Sequence, residues 1–420
     1  MTAAVAWKDG RSAAPTRTLI GAVALTVALS ALDGYDVLCI TFAAPAIARD
    51  WAINATKLGT VLSSGLVGMA LGSFFLAPLA DLVGRRTTVL VSLLLMAVGS
   101  LLSATAGNVA SLSAWRVCTG LGIGACVATI APLAAEFAAP RWRSFAVAAM
   151  AMGYPAGGLV GGLLSAALLR WASWPAIFVA GAGAALVMAV ATAALLPESP
   201  AFLAARRAGP VSLAKTPTAR GGARSYAGVF APARLGSTLR LTMVNALTAA
   251  VIYYVLSWLP QIVTTAGLSP AQGSIVSATL SLVGIAGGLL VGAIATRHGP
   301  ERVTAAAIAG LAVALALFGA VPATMAALTA AAGALGFLIF ASSAGFYAVL
   351  ARGFDDASRA SGSGFVIGVG RVSSAVAPLL AGRMFAGGLD RGVVSAAFGA
   401  AALLAALVLA IHRQPKGVTP

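Results

Sequence analysis

Residues 77–89 read APLADLVGRRTTV, a segment with one aspartate and two arginines that interrupts a long apolar sequence. The apolar runs that meet there, Leu58–Ala80 and Thr87–Ala106, each have about the 20 residues that a helix needs to cross a bilayer. A short charged segment between two such runs is typical of a turn at a membrane surface. This stretch therefore predicts two consecutive transmembrane helices that are joined at one face of the bilayer.

The composition of the whole chain agrees with a membrane location. The protein has 420 residues, of which 60% are hydrophobic and 9% charged, and its mean hydropathy is +0.97. A soluble domain carries about 25% charged residues. The 48 glycines also suit the close approach of helix backbones in a bilayer. We therefore expect an integral membrane protein that has lipids among its partners.

Apolar runs and short polar segments alternate along the entire chain, which predicts an all-α membrane protein with twelve transmembrane helices. The predicted helices fall into two bundles of six: residues 1–196 form the N-terminal bundle, residues 197–238 a cytoplasmic basic linker, and residues 239–420 the C-terminal bundle. The predicted spans are Leu19–Ala48, Leu58–Ala80, Thr87–Ala106, Ser111–Phe137, Ser144–Leu169, Pro175–Leu196, Leu239–Ala266, Ser274–Ala295, Val303–Ala320, Met325–Leu350, Gly362–Phe385 and Val393–Ile411.

A weak internal repeat supports two related halves. The segment after the eighth span, GAIATRHGPERVT, corresponds to the segment after the second span, with Gly299 at the place of Gly84 and Thr296 at the place of Asp81. Parallel six-helix repeats place a substrate site near the middle of the membrane, between the halves. We therefore expect the functional residues at the interface of the two bundles.

The distribution of positive charge predicts the orientation. The net charge is +16, and most of the 27 lysines and arginines lie on the side of the N-terminus. Because cytoplasmic loops carry the excess of these residues, we expect both termini and the linker in the cytoplasm, with the linker near anionic lipid headgroups. We expect no nucleic-acid partner, because the basic residues lie between membrane spans. The opposite side holds only Arg49, Lys57, Arg170, Arg383 and Arg391.

The sequence shows neither a metal site nor an ATP-binding motif. Cys39, Cys118 and Cys126 lie inside apolar runs, without the spacing of metal ligands or of a disulfide framework. The glycine-rich stretches GLGIG and GVG lie inside spans and follow no strand, so we interpret them as helix-packing contacts. We expect no metal and no cofactor.

Two aspartates, Asp33 and Asp36, lie in the first span in the sequence ALDGYDVLCITF. Residues three apart project from nearly the same side of a helix, and two close carboxylates in a low dielectric do not both ionise easily. Acidic residues inside a membrane are costly and indicate function. We therefore predict that this pair takes up and releases protons, as a proton-coupled transporter requires. The alternative is a capping or packing role beside a water-filled vestibule.

Arg116 and Arg371 are the two basic residues that fall inside predicted spans. A guanidinium group binds a carboxylate through two parallel hydrogen bonds, so we predict that both contribute to binding an organic anion. Arg371 is favoured for the substrate carboxylate, and Arg116 as a charge partner of the first span. The alternatives are that each neutralises an aspartate structurally, or that Arg116 extends to the membrane interface.

Several motifs resemble those of the major facilitator superfamily. DLVGRR (81–86) is similar to its signature between spans 2 and 3, and WRVCTGLGIGA (115–125) to its span 4 motif. EFAAPRWRS (136–144) and PESPAFL (197–203) resemble its markers after spans 4 and 6. The resemblance implies two six-helix bundles that rock against each other.

Three further stretches resemble the aromatic acid:proton symporter family within that superfamily. LDGYD (32–36) is similar to its DGxD signature, WLPQIVTTAGLS (258–269) to the end of its span 7, and 359–382 to its span 11. This implies a transporter, not an enzyme, that imports a hydroxybenzoate-like aromatic carboxylate with protons by alternating access. It also implies a monomer in a bacterial-type cytoplasmic (inner) membrane.

The alternative function is a proton-driven exporter of drugs or other organic metabolites. The stretch GYPAGGLVGG (153–162) is partly similar to the antiporter motif of span 5, which supports this alternative, whereas the arrangement of acids in the first span argues for uptake.

Aromatic side chains in the spans could contact an aromatic substrate ring or simply pack between helices. Those selected as substrate contacts are Tyr35, Tyr254 and Trp258. The other candidates for the wall of a central cavity are Tyr154, Tyr253, Phe340, Phe346 and Tyr347.

The resemblance also implies a cytoplasmic gate, in which charges around loops 2–3 and 4–5 form a latch that opens when the bundles rock. The alternative is a set of surface ion pairs that contribute little. The predicted gate residues are Asp81, Arg85, Arg86, Glu136, Arg141 and Arg143.

Overall fold

The computed structural model describes residues 16–76, 79–207, 229–354 and 359–411. Regular structure in these ranges is helical throughout, and twelve of the helices are long and apolar enough to cross a membrane. The predicted fold class is therefore confirmed. The helices are α1 (Thr16–Asp50), α2 (Ala55–Leu71), α3 (Leu79–Val83), α4 (Arg85–Ala104), α5 (Val109–Phe137), α6 (Arg143–Trp171), α7 (Pro175–Leu195), α8 (Pro200–Arg207), α9 (Pro232–Thr265), α10 (Pro270–His298), α11 (Pro300–Ala320), α12 (Met325–Gly353), α13 (Arg359–Ala386) and α14 (Arg391–Ile411).

Several helices extend beyond the apolar runs because polar residues cap them. Asn108 and Ser111 form a reciprocal capping box at the start of α5, which satisfies backbone N–H groups that have no partner inside the helix. Helix α9 begins at Pro232 rather than at Leu239, and the segment predicted as a linker contains helix α8. The rest of that linker, residues 208–228, lies outside the described residues.

The second span changes its helical geometry before it reaches the charged loop. Regular α-helix ends at Leu71, and a π-helical turn follows over Gly72–Leu76. A Cβ atom at Gly72 would collide with the carbonyl oxygen of Leu121, and the Ser73 hydroxyl donates to the Gly124 carbonyl at 2.9 Å. Close packing on α5 therefore accompanies this change of geometry, which ends the regular helix before the predicted boundary at Ala80.

Glycine residues allow the backbones of α6 and α1 to contact each other directly. A Cβ atom at Gly157 would collide with the carbonyl oxygen of Ala31, and a Cβ atom at Gly34 would collide with that of Tyr154. The glycine-rich stretch 153–162, whose similarity to an antiporter motif favoured export, thus serves in helix packing here. On its other side, Gly162 lies against the Ser274 carbonyl of α10.

We expect Gly157→Val to destabilise the protein strongly, whereas Gly183→Val should have little effect. Valine at 157 must push α6 away from α1, and overpacking of this kind costs about 3 kcal/mol. Gly183 on α7 is exposed, and a Cβ atom there would meet no other atom within 4 Å. Thermal unfolding in detergent measures the difference. Equal melting temperatures for the two variants would contradict the close contact of α1 and α6.

The two bundles touch each other away from the charged loop that precedes α4. A Cβ atom at Gly59 on α2 would lie 2.8 Å from the Pro378 carbonyl oxygen on α13, and one at Gly162 on α6 would lie 2.9 Å from that of Ser274 on α10. We call the end of the two bundles at which α4 begins, at Arg85, the basic end, and the opposite end of the bundles the far end. These contacts lie toward the far end.

Candidate functional site

Asp33 lies at the interface of the two bundles, close to a cation of the opposite bundle. Its side chain is buried, at 6% exposed, and its Oδ1 atom has no hydrogen-bond partner among the described residues. Arg371 on α13 attracts it electrostatically. An acid on α1 and an arginine on α13 therefore interact electrostatically across the boundary between the two bundles.

Two tyrosines complete this polar cluster. Tyr154 on α6 and Tyr253 on α9 interact with each other and with Asp33, and Tyr253 also interacts with Arg371. The N-terminal bundle thus contributes Asp33 and Tyr154, and the C-terminal bundle contributes Arg371 and Tyr253. We call these four residues the interface cluster.

Asp36 occupies a different environment, one helical turn further along α1. Its side chain is fully buried, and neither carboxylate oxygen has a hydrogen-bond partner among the described residues. Oδ1 lies beside Gly181 of α7, and the Ser100 side chain of α4 is nearby. The two aspartates interact electrostatically, but Asp33 faces the other bundle and Asp36 faces the interior of its own.

Arg116 on α5 holds the backbone of α1 beside Asp36. Its Nη2 atom donates to the Asp36 carbonyl at 2.7 Å, and its Nη1 atom lies 3.5 Å from the Cys39 sulfur. The guanidinium group lies 5.8 Å from the centre of the Phe178 ring, and the residue is only 1% exposed. The cavity beside it measures about 10 Å³, which is room for one water molecule. In this conformation Arg116 contacts α1, and an aromatic acid cannot reach it.

The three aromatic residues selected from the sequence use their polar atoms within the protein. The Tyr35 hydroxyl donates to the Ile177 carbonyl at 2.6 Å, and the Trp258 indole nitrogen donates to that of Pro378 at 3.0 Å. Tyr254 stacks on Phe398 of α14 with ring centres 4.2 Å apart, and its hydroxyl bonds to Ser395. In this conformation these residues pack the bundles, and none of them joins the interface cluster.

Tyr253, rather than the neighbouring Tyr254, lies in the interface cluster. Adjacent residues differ by about 100° around a helix, and α9 is apolar on most of its sides, so its composition did not indicate which face meets the other bundle. Tyr154 was also missed as a specific contact. Its signal was the glycine pair 153 and 157, both of which face the α1 backbone and place α6 beside Asp33.

The structure brings together two of the six residues predicted to form a gate. Arg85 and Glu136 form an ion pair between the start of α4 and the end of α5, as predicted. The Arg86 guanidinium group donates to the carbonyl of Ala193 instead. The side chain of Asp81 lies outside the described residues.

Arg141 and Arg143 do not join this latch. Arg141 lies over the Trp142 ring at 5.9 Å, and the Nε atom of Arg143 has no hydrogen-bond partner among the described residues. Both residues follow the end of α5, where Arg141 precedes α6 and Arg143 begins it.

Glu198 is a further member of this charged region that the sequence analysis did not select. Its Oε1 atom accepts hydrogen bonds from the backbone N–H groups of Arg85 at 2.9 Å and Arg86 at 3.1 Å. Gly84 precedes them with φ 99°, and a Cβ atom there would collide with the Glu198 carboxylate. A carboxylate at a helix N-terminus is stabilising, so Glu198 caps α4 and fixes the chain after α7 to it.

We expect Glu198→Ala to lower the free energy of unfolding by about 1–2 kcal/mol, because the N-terminus of α4 loses its cap. Asp50→Ala is the matched control, because Asp50 forms only an exposed ion pair with Arg49, and such pairs contribute little. Thermal unfolding in detergent measures both. A melting temperature for Glu198→Ala as close to wild type as that of the control would contradict the capping role.

Twelve spans in two bundles, with a buried polar cluster between them, define a secondary transporter of the alternating-access class. The chain belongs to the Major Facilitator Superfamily, whose family profile matches residues 26–378. Proteins of this family are membrane transporters, so the chain is a transporter and not an enzyme.

The chain is similar to three transporters of named substrates. It is 30% identical to the gallate transporter of Pseudomonas putida, over 96% of this chain and 93% of that one. It is 32% identical to the 4-hydroxybenzoate transporter PcaK of Pseudomonas aeruginosa, over 65% of each chain. It is 29% identical to the 3-(3-hydroxy-phenyl)propionate transporter of Escherichia coli, over 93% of each chain.

Solved structures show the same fold. A D-xylose–proton symporter superimposes with a TM-score of 0.78 at 17% identity, over 96% of this chain and 99% of that one. A bacterial homologue of the human lysosomal transporter Spinster, inward-facing and unoccupied, gives a TM-score of 0.72 at 16% identity, over 95% and 96%. At these identities the likeness concerns the fold alone.

Proposed function

We propose that this protein is a proton-coupled symporter that imports an aromatic carboxylate by alternating access. The observation that carries the proposal is the arrangement of Asp33 and Arg371, an acid and a permanent cation from different bundles. The relatives are named as transporters of gallate, 4-hydroxybenzoate and a hydroxyphenylpropionate. These names support an aromatic acid as the substrate.

Competition for Arg371 would couple the proton to the substrate. An ionised Asp33 attracts the guanidinium group, and a substrate carboxylate would bind to the same donors. A proton on Asp33 removes this competitor, so the anion binds most favourably after the proton. Loss of the proton restores the competitor and favours release of the anion, and the two therefore cross the membrane together.

Asp36 and Arg116 would connect this event to the N-terminal bundle. Asp36 interacts with Asp33, so a change of charge at one aspartate alters the energy of the other. Arg116 binds the α1 backbone at Asp36 and balances that charge inside the bundle. Proton binding at the interface would thereby change the electrostatic energy of Arg116 on α5. The same helix carries the predicted gate residue Glu136 at its other end.

We place the basic end in the cytoplasm, because it holds the excess of arginine. Both termini then lie in the cytoplasm of a bacterial-type cell, and the protein spans the cytoplasmic (inner) membrane as a monomer. Protons are the coupling ion, and no other cofactor takes part. The Arg85–Glu136 pair and Glu198 would hold the basic end of the N-terminal bundle together while the bundles rock.

The test is uptake of labelled aromatic acids into proteoliposomes, with and without an inward proton gradient. Aromatic acids are weak acids, and their neutral forms cross lipid and accumulate passively in alkaline vesicles, so uptake by protein-free vesicles under the same gradient must be subtracted. We expect protein-dependent accumulation of at least one acid, driven by the gradient. Uptake that is indifferent to the gradient for every acid tested would overturn the symport mechanism and direct attention to export.

A further inference from the structure

The hydroxyl of Tyr154 is buried in the interface cluster, with the Tyr253 side chain beside it. It makes no hydrogen bond of normal geometry to any described residue, although the Tyr253 side chain lies beside it. A buried polar group without a well-formed hydrogen bond is unfavourable, and a polar ligand between the bundles would supply the missing partner. Asp33 Oδ1 is unpartnered in the same region.

The position of Tyr154 is fixed by the backbone rather than by its own hydroxyl. Its carbonyl oxygen lies against Gly34, the residue next to Asp33, so closely that a Cβ atom there would collide with it. Its ring lies 6.4 Å from the ring of Phe340 on α12, across the bundle interface. The position of the ring therefore does not depend on the hydroxyl group, which can exchange its interaction with Tyr253 for one with a ligand.

Tyr253 approaches the same place from the C-terminal bundle. It interacts with Arg371, Asp33 and Tyr154, so an anion bound to Arg371 would lie next to both phenol groups. A ring hydroxyl both donates and accepts hydrogen bonds and could satisfy Tyr154 and Tyr253 together. An unsubstituted ring would offer the two tyrosine hydroxyls no polar partner.

We propose that Tyr154 and Tyr253 are specificity-determining residues that select aromatic acids carrying a ring hydroxyl over acids whose ring has none. This inference rests on the proposed function, since it assumes that Arg371 binds the carboxylate. It adds that the two tyrosine hydroxyls recognise a hydroxyl group of the substrate, which no charge or sequence motif of the chain had indicated.

The test compares hydroxybenzoates with benzoate in the same proteoliposomes, by the concentration of each that halves uptake of a labelled hydroxybenzoate. A site built to bind a substrate hydroxyl rejects the analogue that lacks it, and we expect wild type to favour a hydroxybenzoate at least about tenfold. Tyr154→Phe and Tyr253→Phe should each reduce this ratio several-fold by weakening the hydroxybenzoate and not benzoate. Tyr254→Phe is the matched control, since that hydroxyl binds Ser395, and its ratio should equal that of wild type.

Three outcomes would overturn the proposal. Equal losses for both acids in Tyr154→Phe and Tyr253→Phe would mean that the two hydroxyls serve only the packing of the bundles. An unchanged ratio would mean that they do not face the substrate, although the symport function would stand. Failure of wild type to transport any aromatic acid would overturn the proposed function together with this inference.

Methoxybenzoates provide a test on the unaltered protein. They keep the ring oxygen as an acceptor but lose the donor and add a methyl group. If the hydroxyl is bound as proposed, methoxybenzoates should compete no better than benzoate. Competition equal to that of the hydroxybenzoate would contradict the selection of a hydroxyl, even if a tyrosine variant failed to fold.

Discussion

Asn in place of Asp33 is expected to abolish gradient-driven accumulation while exchange of substrate across the membrane continues. The amide has nearly the size of the carboxylic acid but binds no proton, and it is neutral at every pH. Arg371 then lacks its acidic neighbour and stays available to the substrate carboxylate. The variant should therefore behave as a transporter fixed in its protonated form, which binds and moves the anion without coupling it to protons.

The size of this effect follows from the energy in the gradient. A pH difference of about one unit stores about 1.4 kcal/mol per proton, which supports at most about tenfold accumulation of a monovalent anion carried with one proton. Wild type should approach this ratio much faster than protein-free vesicles, so the initial rate after subtraction of the passive uptake measures the symport, and Asp33→Asn should show no such protein-dependent uptake. Counterflow of labelled against unlabelled substrate measures the exchange that we expect to persist.

Asp50→Asn is the control for this chemical change. Asp50 lies at the end of the same helix, exposed and beside Arg49, and its amide variant should accumulate substrate as wild type does. Accumulation by Asp33→Asn at the wild-type level would exclude Asp33 as the proton carrier and leave Asp36. Loss of counterflow as well would mean that Asp33 contributes to anion binding directly rather than by competition.

The twelve helices and the polar cluster differ in how far the sequence predicts them. Bilayer thickness fixes the length of an apolar run, so the span over Met325–Leu350 was predicted to within a few residues of helix α12, Met325–Gly353. The presence of Asp33, Asp36, Arg116 and Arg371 in the membrane was equally visible, because a charge in an apolar run is conspicuous.

Directions around each helix were harder to predict, because transmembrane helices are apolar on faces that meet protein and on faces that meet lipid. Tyr253 and Tyr254 are indistinguishable by composition, yet only one of them reaches the interface cluster. Asp33 and Asp36 were predicted to share a face, but the rotation between them places one at the interface and the other inside its bundle. Only the packing of neighbouring helices determines such choices.

Glu198 illustrates a second limit. Its charge was visible in PESPAFL, but its role depends on the N-terminus of α4, more than a hundred residues earlier in the chain. Hydrogen bonds to backbone N–H groups leave no complementary side chain for a sequence to display. The Arg85–Glu136 pair, by contrast, joins two side chains of opposite charge and was predicted.

Removal of Arg116 should strongly destabilise the protein, and removal of the Asp36 charge should restore part of the loss. Arg116→Met retains a long side chain but leaves Asp36 buried without its balancing cation, and breaking a buried charge pair costs about 3–5 kcal/mol. In the double variant with Asp36→Asn no uncompensated charge is left. We therefore expect the double variant to be more stable than Arg116→Met alone, in thermal unfolding at neutral pH in detergent.

This double-mutant cycle distinguishes the two contacts that Arg116 makes. Its direct hydrogen bond is to the Asp36 backbone carbonyl, which Asp36→Asn leaves in place, whereas its electrostatic interaction is with the carboxylate. Rescue by Asp36→Asn would show that charge balance dominates, and interacting residues typically give coupling energies of about 0.5–3 kcal/mol. Additive losses would show instead that Arg116 anchors only the α1 backbone.

Arg170→Met, at an exposed arginine near the end of α6, should leave the melting temperature unchanged and controls for the loss of a positive charge. The sign of the coupling thus decides whether α5 responds to the charge on α1, which is what transmission of a proton-binding event through the N-terminal bundle requires.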